Sequence, residues 1–300
     1  MVERKSNLML IGVLLSVVLV ACSSNATKTA ETIPATSTTM VLICDPPEHL
    51  DCAGADLSNA NLFGTNLSGV DLSGVDLTGA NMTGVDLTGA NLTEANLYIA
   101  NLTGANLTGA NLTGAQLLYA NLTGAGMDQA DLTNANLYNA NLTGANLFRT
   151  NLTGAGMTGA NLTNAILAWT HLHGLNLSDL NLTGANLSGA DLSNANLSGT
   201  YLSNANLTDA NLTDANLSGA QLSGAKLGPR SLWDGSLEVV ANMSGSKLTR
   251  ANQTGANQSG ADLTNANLTN ANLTNANLTN ANLTNANFKF ATMPDGTIHD

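Results

Sequence analysis

The sequence predicts an all-β fold in which the chain coils around a narrow apolar core. Leucine or methionine occupies every fifth position from Leu57 to Leu227. A period of five scatters these side chains around an α-helix and alternates them between the faces of a straight strand, so neither element buries them together. The chain must therefore bend once in every repeat. A hydrophobic content of 43% with only 3% aromatic residues agrees with a core of aliphatic side chains.

Residues 1–21 have the features of a signal peptide. Arg4 and Lys5 precede an apolar run from Leu8 to Ala21, which is shorter than the about 20 residues that a membrane-spanning helix needs. The run ends in Leu-Val-Ala-Cys, which resembles the bacterial lipobox, and this resemblance implies that Cys22 is lipidated after cleavage. An ordinary signal peptide with an incidental cysteine is the alternative. The sequence thus predicts export and lipid anchoring to a bacterial membrane, at the outer leaflet, in the periplasm or on the cell surface.

Two short segments connect this anchor to the repeats. Residues 22–40 are rich in Ser, Thr and Ala, which predicts a flexible tether. Residues 41–54 are expected to cap the N-terminal end, and Cys44 and Cys52 flank a Pro-Pro loop within them. In an oxidising compartment this pair predicts one disulfide. A metal site is the alternative, but it needs more ligands than His49 supplies.

The repeats follow one local pattern. Within "ANLTG" the Ala and the Leu two residues later point to one side and Asn points to the other. The Thr or Ser and the Gly, Asn or Asp that follow tolerate a tight corner. Gln253 and Gln258 replace inward leucines, and we expect them to pair with each other or with the backbone. The predicted segments are a solenoid (55–229), an interrupting loop (230–240), a second repeat segment with its register shifted by one (241–290) and a C-terminal cap (291–300).

The repeats carry a family resemblance. The stretch "ADLSNANLFGTNLSGVDLSG" at residues 55–74 resembles the pentapeptide-repeat family, whose signature is A-(D/N)-L-x-x. The match extends over nearly all of the predicted folded chain. The family's fold is a right-handed quadrilateral parallel β-solenoid (a β-helix) with about 20 residues per coil, and the resemblance implies this architecture here.

With 20 residues per coil, positions twenty apart in sequence stack in columns. Tyr98, Leu118 and Tyr138 then share one outward column, and Ile99 and Tyr119 share the next. Because exposed apolar clusters often mark binding surfaces, these residues are candidates for contacting a protein partner. Incidental packing on the surface is the alternative.

The interrupting loop supplies a second candidate surface. It contains Arg230, Trp233 and Asp234, and the resemblance implies that such protruding loops contact the partner. The alternative is a tolerated insertion whose tryptophan covers exposed core. Stacking by twenty also places Arg149 on Trp169, which suggests a cation–π pair.

No catalytic residues, metal ligands or cofactor site are predicted. The histidines, among them His171 and His173, lie apart from other ligands or nucleophiles, and a leucine-filled solenoid offers no cleft that shifts pKa values. The sequence therefore predicts a non-enzymatic, membrane-anchored structural or protein-binding solenoid outside the bacterial cytoplasm. We expect a monomer or an end-to-end homodimer with an unknown protein partner and no nucleic acid.

Two alternative functions are considered. Acidic members of the family resemble DNA and bind DNA gyrase, but the acids of residues 53–227 are sparser than DNA phosphates, which occur once per about 1.7 Å. Export would also separate this chain from gyrase. Ranks of threonine resemble the faces of ice-binding solenoids, but here Thr occurs on every side of the predicted coil.

Overall fold

The computed structural model describes residues 52–228 and 241–300 together with two short strands. Strand β1 (Ala21–Cys22) pairs in parallel with strand β2 (Ile43–Cys44). Beyond these strands, the described ranges are built from single-residue parallel bridges between successive coils. No helix in the described ranges is long and apolar enough to cross a bilayer.

Several predicted segments lie outside the described residues. The side chain of Cys44 is among them, so its disulfide with Cys52 stays a prediction; Cys52 itself is buried. The lipidation of Cys22 likewise stays a prediction. The segments wholly or largely outside the described ranges are the signal peptide (1–21), the tether (22–40), most of the N-terminal cap (41–54) and the loop (230–240) with its three candidate residues.

Each coil of the solenoid contains twenty residues, except the one that carries the insertion. Asp56 pairs in parallel with Asp76, Asp76 pairs with Asn96, and the same spacing continues through most of the chain. Four five-residue repeats therefore complete one coil. The predicted right-handed, four-sided parallel β-solenoid is confirmed.

The core is the inside of this tube. In the repeat that contains Asn91, Leu92 and Ala95 are fully buried while Asn91 lies at the surface. This alternation, repeated along the chain, stacks Leu on Leu and Ala on Ala in one continuous cluster. The burial of these aliphatic side chains is the main favourable term of the fold.

A β-turn forms the corner of each repeat. The Ala95 amide donates to the Leu92 carbonyl at 3.0 Å, and Glu94 between them has a φ of 58°. A positive φ at this position strains most residues but suits Gly and Asn. This requirement explains why Gly or Asn so often fills the second position after the inward leucine, as Gly79 does with a φ of 66°.

In a regular repeat, all five amides find hydrogen-bond partners. In the repeat Asp76–Ala80, Leu77 and Gly79 donate to the following coil at 2.7 and 2.9 Å, and Asp76 donates to the preceding coil at 2.9 Å. Ala80 closes the corner at 3.0 Å. The remaining amide, that of Thr78, donates to Oδ1 of Asp76 at 2.9 Å. The Asn or Asp of each repeat therefore completes the backbone bonding of its own repeat.

Four columns of bridge residues define four faces. The first face begins at Asp56, the second at Asn61, the third at Asn66 and the fourth at Asp71, and each continues in steps of twenty. Each face therefore consists of a bridge residue, the inward leucine that follows it and the next two residues, which form the corner. The insertion adds residues to the twenty-residue spacing at one corner only.

The insertion leaves the stack of coils intact. Asn211 bridges to Asn242, so this coil is longer than the others, but the next bridge, from Asn242 to Asp262, again spans twenty residues. Ala241 donates to the carbonyl of Leu227 at 3.2 Å, which is the bond that closes every corner. The shifted register is therefore absorbed between Leu227 and Ala241, at a third-face corner.

One seam between coils lacks part of its hydrogen bonding. The amides of Leu152 and Met157 face the carbonyls of His171 and Asn176 in the next coil, yet within the described chain neither makes a hydrogen bond of normal geometry. The amides of His171 and Asn176 likewise make none to the preceding coil. The Asn151–His171 bridge persists, whereas no bridge joins Gly156 to Asn176 in the described chain. The seam lies on the fourth and first faces, whereas the bonds of the next seam are intact.

The stretched seam coincides with an unusual set of inward residues. Leu175 and Leu180 occupy the inward position that Ala holds in most repeats, and both are buried. A leucine there adds volume to a tightly packed tube, which forces neighbouring elements apart. We attribute the missing bonds to this overpacking.

The chain folds back on itself at its C-terminus. Phe290 donates to the His299 carbonyl at 2.7 Å, and His299 donates to Ala291 at 2.9 Å, which makes an antiparallel pair in the predicted cap (291–300). The Phe288 ring lies 5.9 Å from the His299 ring. Elsewhere on the last coil, Leu278 and Leu283 are only partly buried.

Candidate binding surfaces

A cluster of three tyrosines lies at the corner of the first face. Tyr119 contacts Tyr98 and Tyr138 edge to face, with ring centroids 6.1 and 5.7 Å away. The three side chains remain 41%, 50% and 41% exposed in chain order. Ile99 is also exposed and Leu118 is partly exposed beside them. We call these five residues the tyrosine patch.

The coil repeat brings the tyrosine patch together. Ile99 donates its amide to Leu118 at 3.0 Å, and Tyr119 donates to Tyr138 at 2.9 Å, so the patch residues occupy adjoining corners of three successive coils. Three coils span about 10 Å of the axis. The arrangement expected from stacking by twenty is therefore present.

Polar side chains form a continuous ladder on the second face. Asn101 donates its Nδ2 to Oγ1 of Thr83 at 3.0 Å, and Thr103 Oγ1 donates to Asn101 Oδ1 at 2.6 Å. The pattern repeats coil after coil, and we call it the second-face ladder. Its members are Asn81, Thr83, Asn101, Thr103, Asn121, Thr123, Asn141, Thr143, Asn161 and Thr163.

A polar cluster on the fourth face has the residue types of a catalytic triad but not the hydrogen bonding. Ser193 donates its hydroxyl to Asp191 at 2.5 Å, and Nδ1 of His173 lies 2.9 Å from the same hydroxyl. Since the serine proton is given to the aspartate, the histidine is not placed to remove it. Burial alone would raise the pKa of Asp191, but the bonds from Ser193 and the nearby His173 lower it below its ordinary value.

Acids form no column longer than two coils among the described bridge residues. Asp56 and Asp76 are stacked on the first face, but Asn96 follows them. On the fourth face Asp71 and Asp131 are separated by Asn91 and Asn111, and the bridge column of the second face holds no acid. Within residues 52–228 and 241–300, no group of three His, Cys, Asp or Glu side chains could hold a metal ion.

A groove on the third face was missed in the sequence. It has a volume of about 420 Å3 and combines the partly exposed ring of Phe148 with the exposed side chains of Ile166 and Trp169. Polar side chains of the next two coils, including Asn186 and Ser188, complete it. The signal was available, because Phe148, Ile166 and Trp169 share one face when the chain is counted in twenties.

The side chain of Arg149, beside this groove, contacts a different ring from the one expected. The Arg149 guanidinium lies 4.9 Å from the centre of the Phe148 ring, its sequence neighbour. Among the described residues it makes no such contact with Trp169. The outward face of the tryptophan is therefore left uncovered by this side chain.

The two inward glutamines pair with each other, as expected. Nε2 of Gln258 donates to Oε1 of Gln253, and both side chains are fully buried. Nε2 of Gln253 and Oε1 of Gln258 have no partner. The pair is a weak point of the core and offers no access for a ligand.

Comparison with known proteins supports the repeat assignment. The family model described as pentapeptide repeats matches this chain in overlapping stretches that together span residues 55–228 and 241–295. A search of curated protein sequences found no match.

Solved structures of similar proteins are found among repeat proteins. HetL, involved in heterocyst differentiation regulation in the cyanobacterium Nostoc sp. strain PCC 7120, is 34% identical, with 84% of this chain and 92% of HetL covered and a TM-score of 0.36. Trypsin-treated QnrB1, a plasmid-mediated fluoroquinolone resistance protein, is 22% identical, with coverages of 60% and 84% and a TM-score of 0.43. A protein from the cyanobacterium Cyanothece 51142 is 34% identical, with coverages of 37% and 85% and a TM-score of 0.30.

Proposed function

Because this chain belongs to the pentapeptide repeat family, we propose that it is a non-enzymatic solenoid that holds a protein partner outside the bacterial cytoplasm. A lipid on Cys22 anchors it to the membrane. The tyrosine patch is the centre of the surface of this chain to which the partner binds. The single observation that carries this proposal is the edge-to-face packing of Tyr98, Tyr119 and Tyr138 on an exposed corner.

The chemistry of the patch suits protein recognition. Tyrosine is enriched at interfaces because its ring is large and apolar while its hydroxyl remains able to bond. Tyr119 contacts a ring on each side, so the patch loses little side-chain freedom when a partner binds. A stable interface buries about 800 Å2 on each partner, so the surrounding Asn and Thr corners of the first face are expected to form a polar rim.

Affinity capture tests the role of the patch. The secreted domain is used to capture proteins from the native host, and a variant with Tyr98→Ser, Tyr119→Ser and Tyr138→Ser is compared with it. Tyr201→Ser is the matched control, since Tyr201 is 53% exposed on the second face and has Asn181 and Gln221 as its bridge partners. We expect the triple variant to lose a partner that the wild type and the control retain. If the wild type, the triple variant and the control all capture the same proteins, the tyrosine patch is not the binding surface.

A separate experiment tests the anchor. Wild-type protein is expected to incorporate labelled palmitate and to fractionate with membranes, whereas Cys22→Ala should do neither. Palmitate labelling that persists in Cys22→Ala, or its absence from the wild type, contradicts the anchor. Either result leaves the capture experiment on the tyrosine patch unaffected.

Two observations weigh against the alternative functions. A DNA mimic needs dense charge, whereas Asp71, Asp131 and Asp191 follow one another in the fourth-face bridge column only at every third coil, about 14 Å apart. An ice-binding face needs free hydroxyls, yet Thr103 donates to Asn101 and accepts from Asn121. Purified protein is therefore expected to leave gyrase supercoiling and ice-crystal shape unchanged.

We propose a monomer or an end-to-end pair as the assembly. The last coil leaves Leu278 and Leu283 partly exposed, and their amides make no hydrogen bond within the described chain. Such an open end of a sheet can pair with a second copy. Sedimentation velocity of the wild type and of Leu283→Glu distinguishes the two states: only a pair formed through this end would dissociate in the variant.

A further inference from the structure

The third-face groove contains an aromatic platform held in a fixed position. Trp169 is 51% exposed, and its ring lies over Gly189 in the next coil, where a β-carbon would be 2.7 Å from the ring. One face of the indole therefore rests on the backbone while the other faces solvent. Phe148 and Ile166 extend the apolar surface beside it.

Polar groups next to the platform are left without partners. In many coils an Asn amide donates to the bridge residue or the threonine of the preceding coil, as Asn206 donates to Asn186, but before Asn186 these positions hold Ile166 and Ala168. Nδ2 of Asn186 and the hydroxyls of Ser188 and Thr208 make no hydrogen bond within the described chain. Polar groups available to a ligand therefore lie beside the exposed indole.

We propose that this groove binds a neutral carbohydrate chain, with one pyranose ring stacked on Trp169. A pyranose has an apolar C–H face that covers an indole and a rim of hydroxyls that both donate and accept. Asn186, Ser188 and Thr208 offer donors and acceptors of the same kind at the edge of the platform. Such a mixture of aromatic floor and few polar groups is typical of small-ligand sites.

The surroundings disfavour the charged ligands that also stack on aromatic rings. A quaternary ammonium ion would lie near the Arg149 guanidinium, which already covers Phe148 at 4.9 Å. A nucleic acid would bring its phosphates to a chain with a net charge of −12. Asp209 lines the groove and the Arg149 guanidinium lies nearby over Phe148, so charges of both signs are present and neither an anion nor a cation is favoured.

Trp169 provides its own readout. The chain has two tryptophans, and Trp233→Phe leaves Trp169 as the sole fluorophore. This single-tryptophan protein is titrated with cellohexaose, chitohexaose and maltohexaose, and we expect a saturable change in emission with at least one of them. Asn186→Ala in the same background is expected to weaken the response roughly three- to tenfold, as for the loss of one hydrogen bond. Tyr201→Ser, on another face, should leave it unchanged.

A second measurement does not depend on fluorescence. In gels that contain hydroxyethyl cellulose, glycol chitin or soluble starch, the wild type should migrate more slowly than Trp169→Ala and than Gly189→Asn. The latter fills the space beneath the ring, and asparagine is tolerated at this corner since Asn194 has a φ of 57° at an equivalent position. The proposal is overturned if no saccharide alters the Trp169 emission, or if Trp169→Ala is retarded like the wild type. A response to peptides alone would assign the groove to a protein ligand instead.

Discussion

Asn121 donates its Nδ2 to Oγ1 of Thr103 in the preceding coil at 2.9 Å. Its Oδ1 accepts from both the amide and the hydroxyl of Thr123, at 3.2 and 2.6 Å. One side chain therefore closes its own repeat and connects two coils. This double use explains why Asn is repeated so regularly on a surface where any polar residue would keep the chain soluble.

Removing this side chain should destabilise the solenoid. We expect Asn121→Ala to lower the free energy of unfolding by about 1–2 kcal/mol, because the Thr123 amide loses its partner and the second-face ladder is cut. Asn121→Asp keeps the Oδ1 acceptor and loses only the donor, so its loss should be smaller. Urea denaturation followed by circular dichroism measures both. Equal stability of wild type and Asn121→Ala would contradict the structural role of the ladder.

The buried glutamine pair predicts a stabilising change. Replacing both Gln253 and Gln258 by Leu removes two polar groups that lack partners and restores the leucine stack, so we expect a gain of about 1–3 kcal/mol. In Gln258→Leu alone, Oε1 of Gln253 loses the hydrogen bond that Nε2 of Gln258 donates. This variant should therefore be less stable than the double variant. A double variant no more stable than the wild type would show that the pair is better satisfied than its contacts indicate.

The stretched seam predicts uneven hydrogen exchange. The amides of Leu152 and Met157 make no hydrogen bond of normal geometry, whereas Leu132 and Leu137 donate to the next coil at 2.8 and 2.7 Å. We expect the first two to exchange about a hundredfold faster than the second two, as measured by mass spectrometry or NMR.

The cause assigned to the seam is tested by a repair variant. Leu175→Ala combined with Leu180→Ala gives these repeats the inward residue of their neighbours and should allow the two coils to approach. Exchange at Leu152 and Met157 should then slow. Unchanged exchange in the variant would mean that leucine volume does not open the seam.

Stability should fall in acid through aspartates that serve as turn acceptors. The amide and hydroxyl of Ser73 lower the pKa of Asp71 below its ordinary value of 3.8. Because the folded-state pKa is the lower one, this stabilisation is present above the unfolded value and is lost as the pH falls through the folded value. Urea midpoints at several pH values should decline less steeply below about pH 4 for Asp71→Asn than for the wild type. Identical slopes would exclude Asp71 as a contributor.

Much of the fold follows from the repeat together with the family resemblance. Period five at Leu57 and its successors predicts the bend, and the count of twenty that the resemblance implies predicts that Tyr98 and Tyr138 flank Tyr119. The inward direction of Gln253 and Gln258, and hence their pairing, follows from the same register. The bend, the stacking and the inward direction of these side chains depend on the backbone conformation, which the regular repeat determines.

Other features depend on side-chain conformation or volume and could not be obtained by counting alone. Arg149 reaches Phe148 and not Trp169, because an exposed guanidinium has several accessible rotamers and the spacing favours none of them. The hydrogen bonding at the seam depends on how far the neighbouring coils move apart to accommodate the side chains of Leu175 and Leu180. The unusual size of these two inward residues was visible in the sequence, but its effect on hydrogen bonding was not.

Photocrosslinking in the native host tests the proposed function most directly. A photoreactive phenylalanine is placed at position 119 of the full chain, and the same residue at position 201 serves as the matched control. We predict a crosslinked protein from position 119 that is absent from position 201 and is lost when Tyr98→Ser and Tyr138→Ser are added. Identical adducts from both positions, or none from position 119, would contradict a partner held by the tyrosine patch.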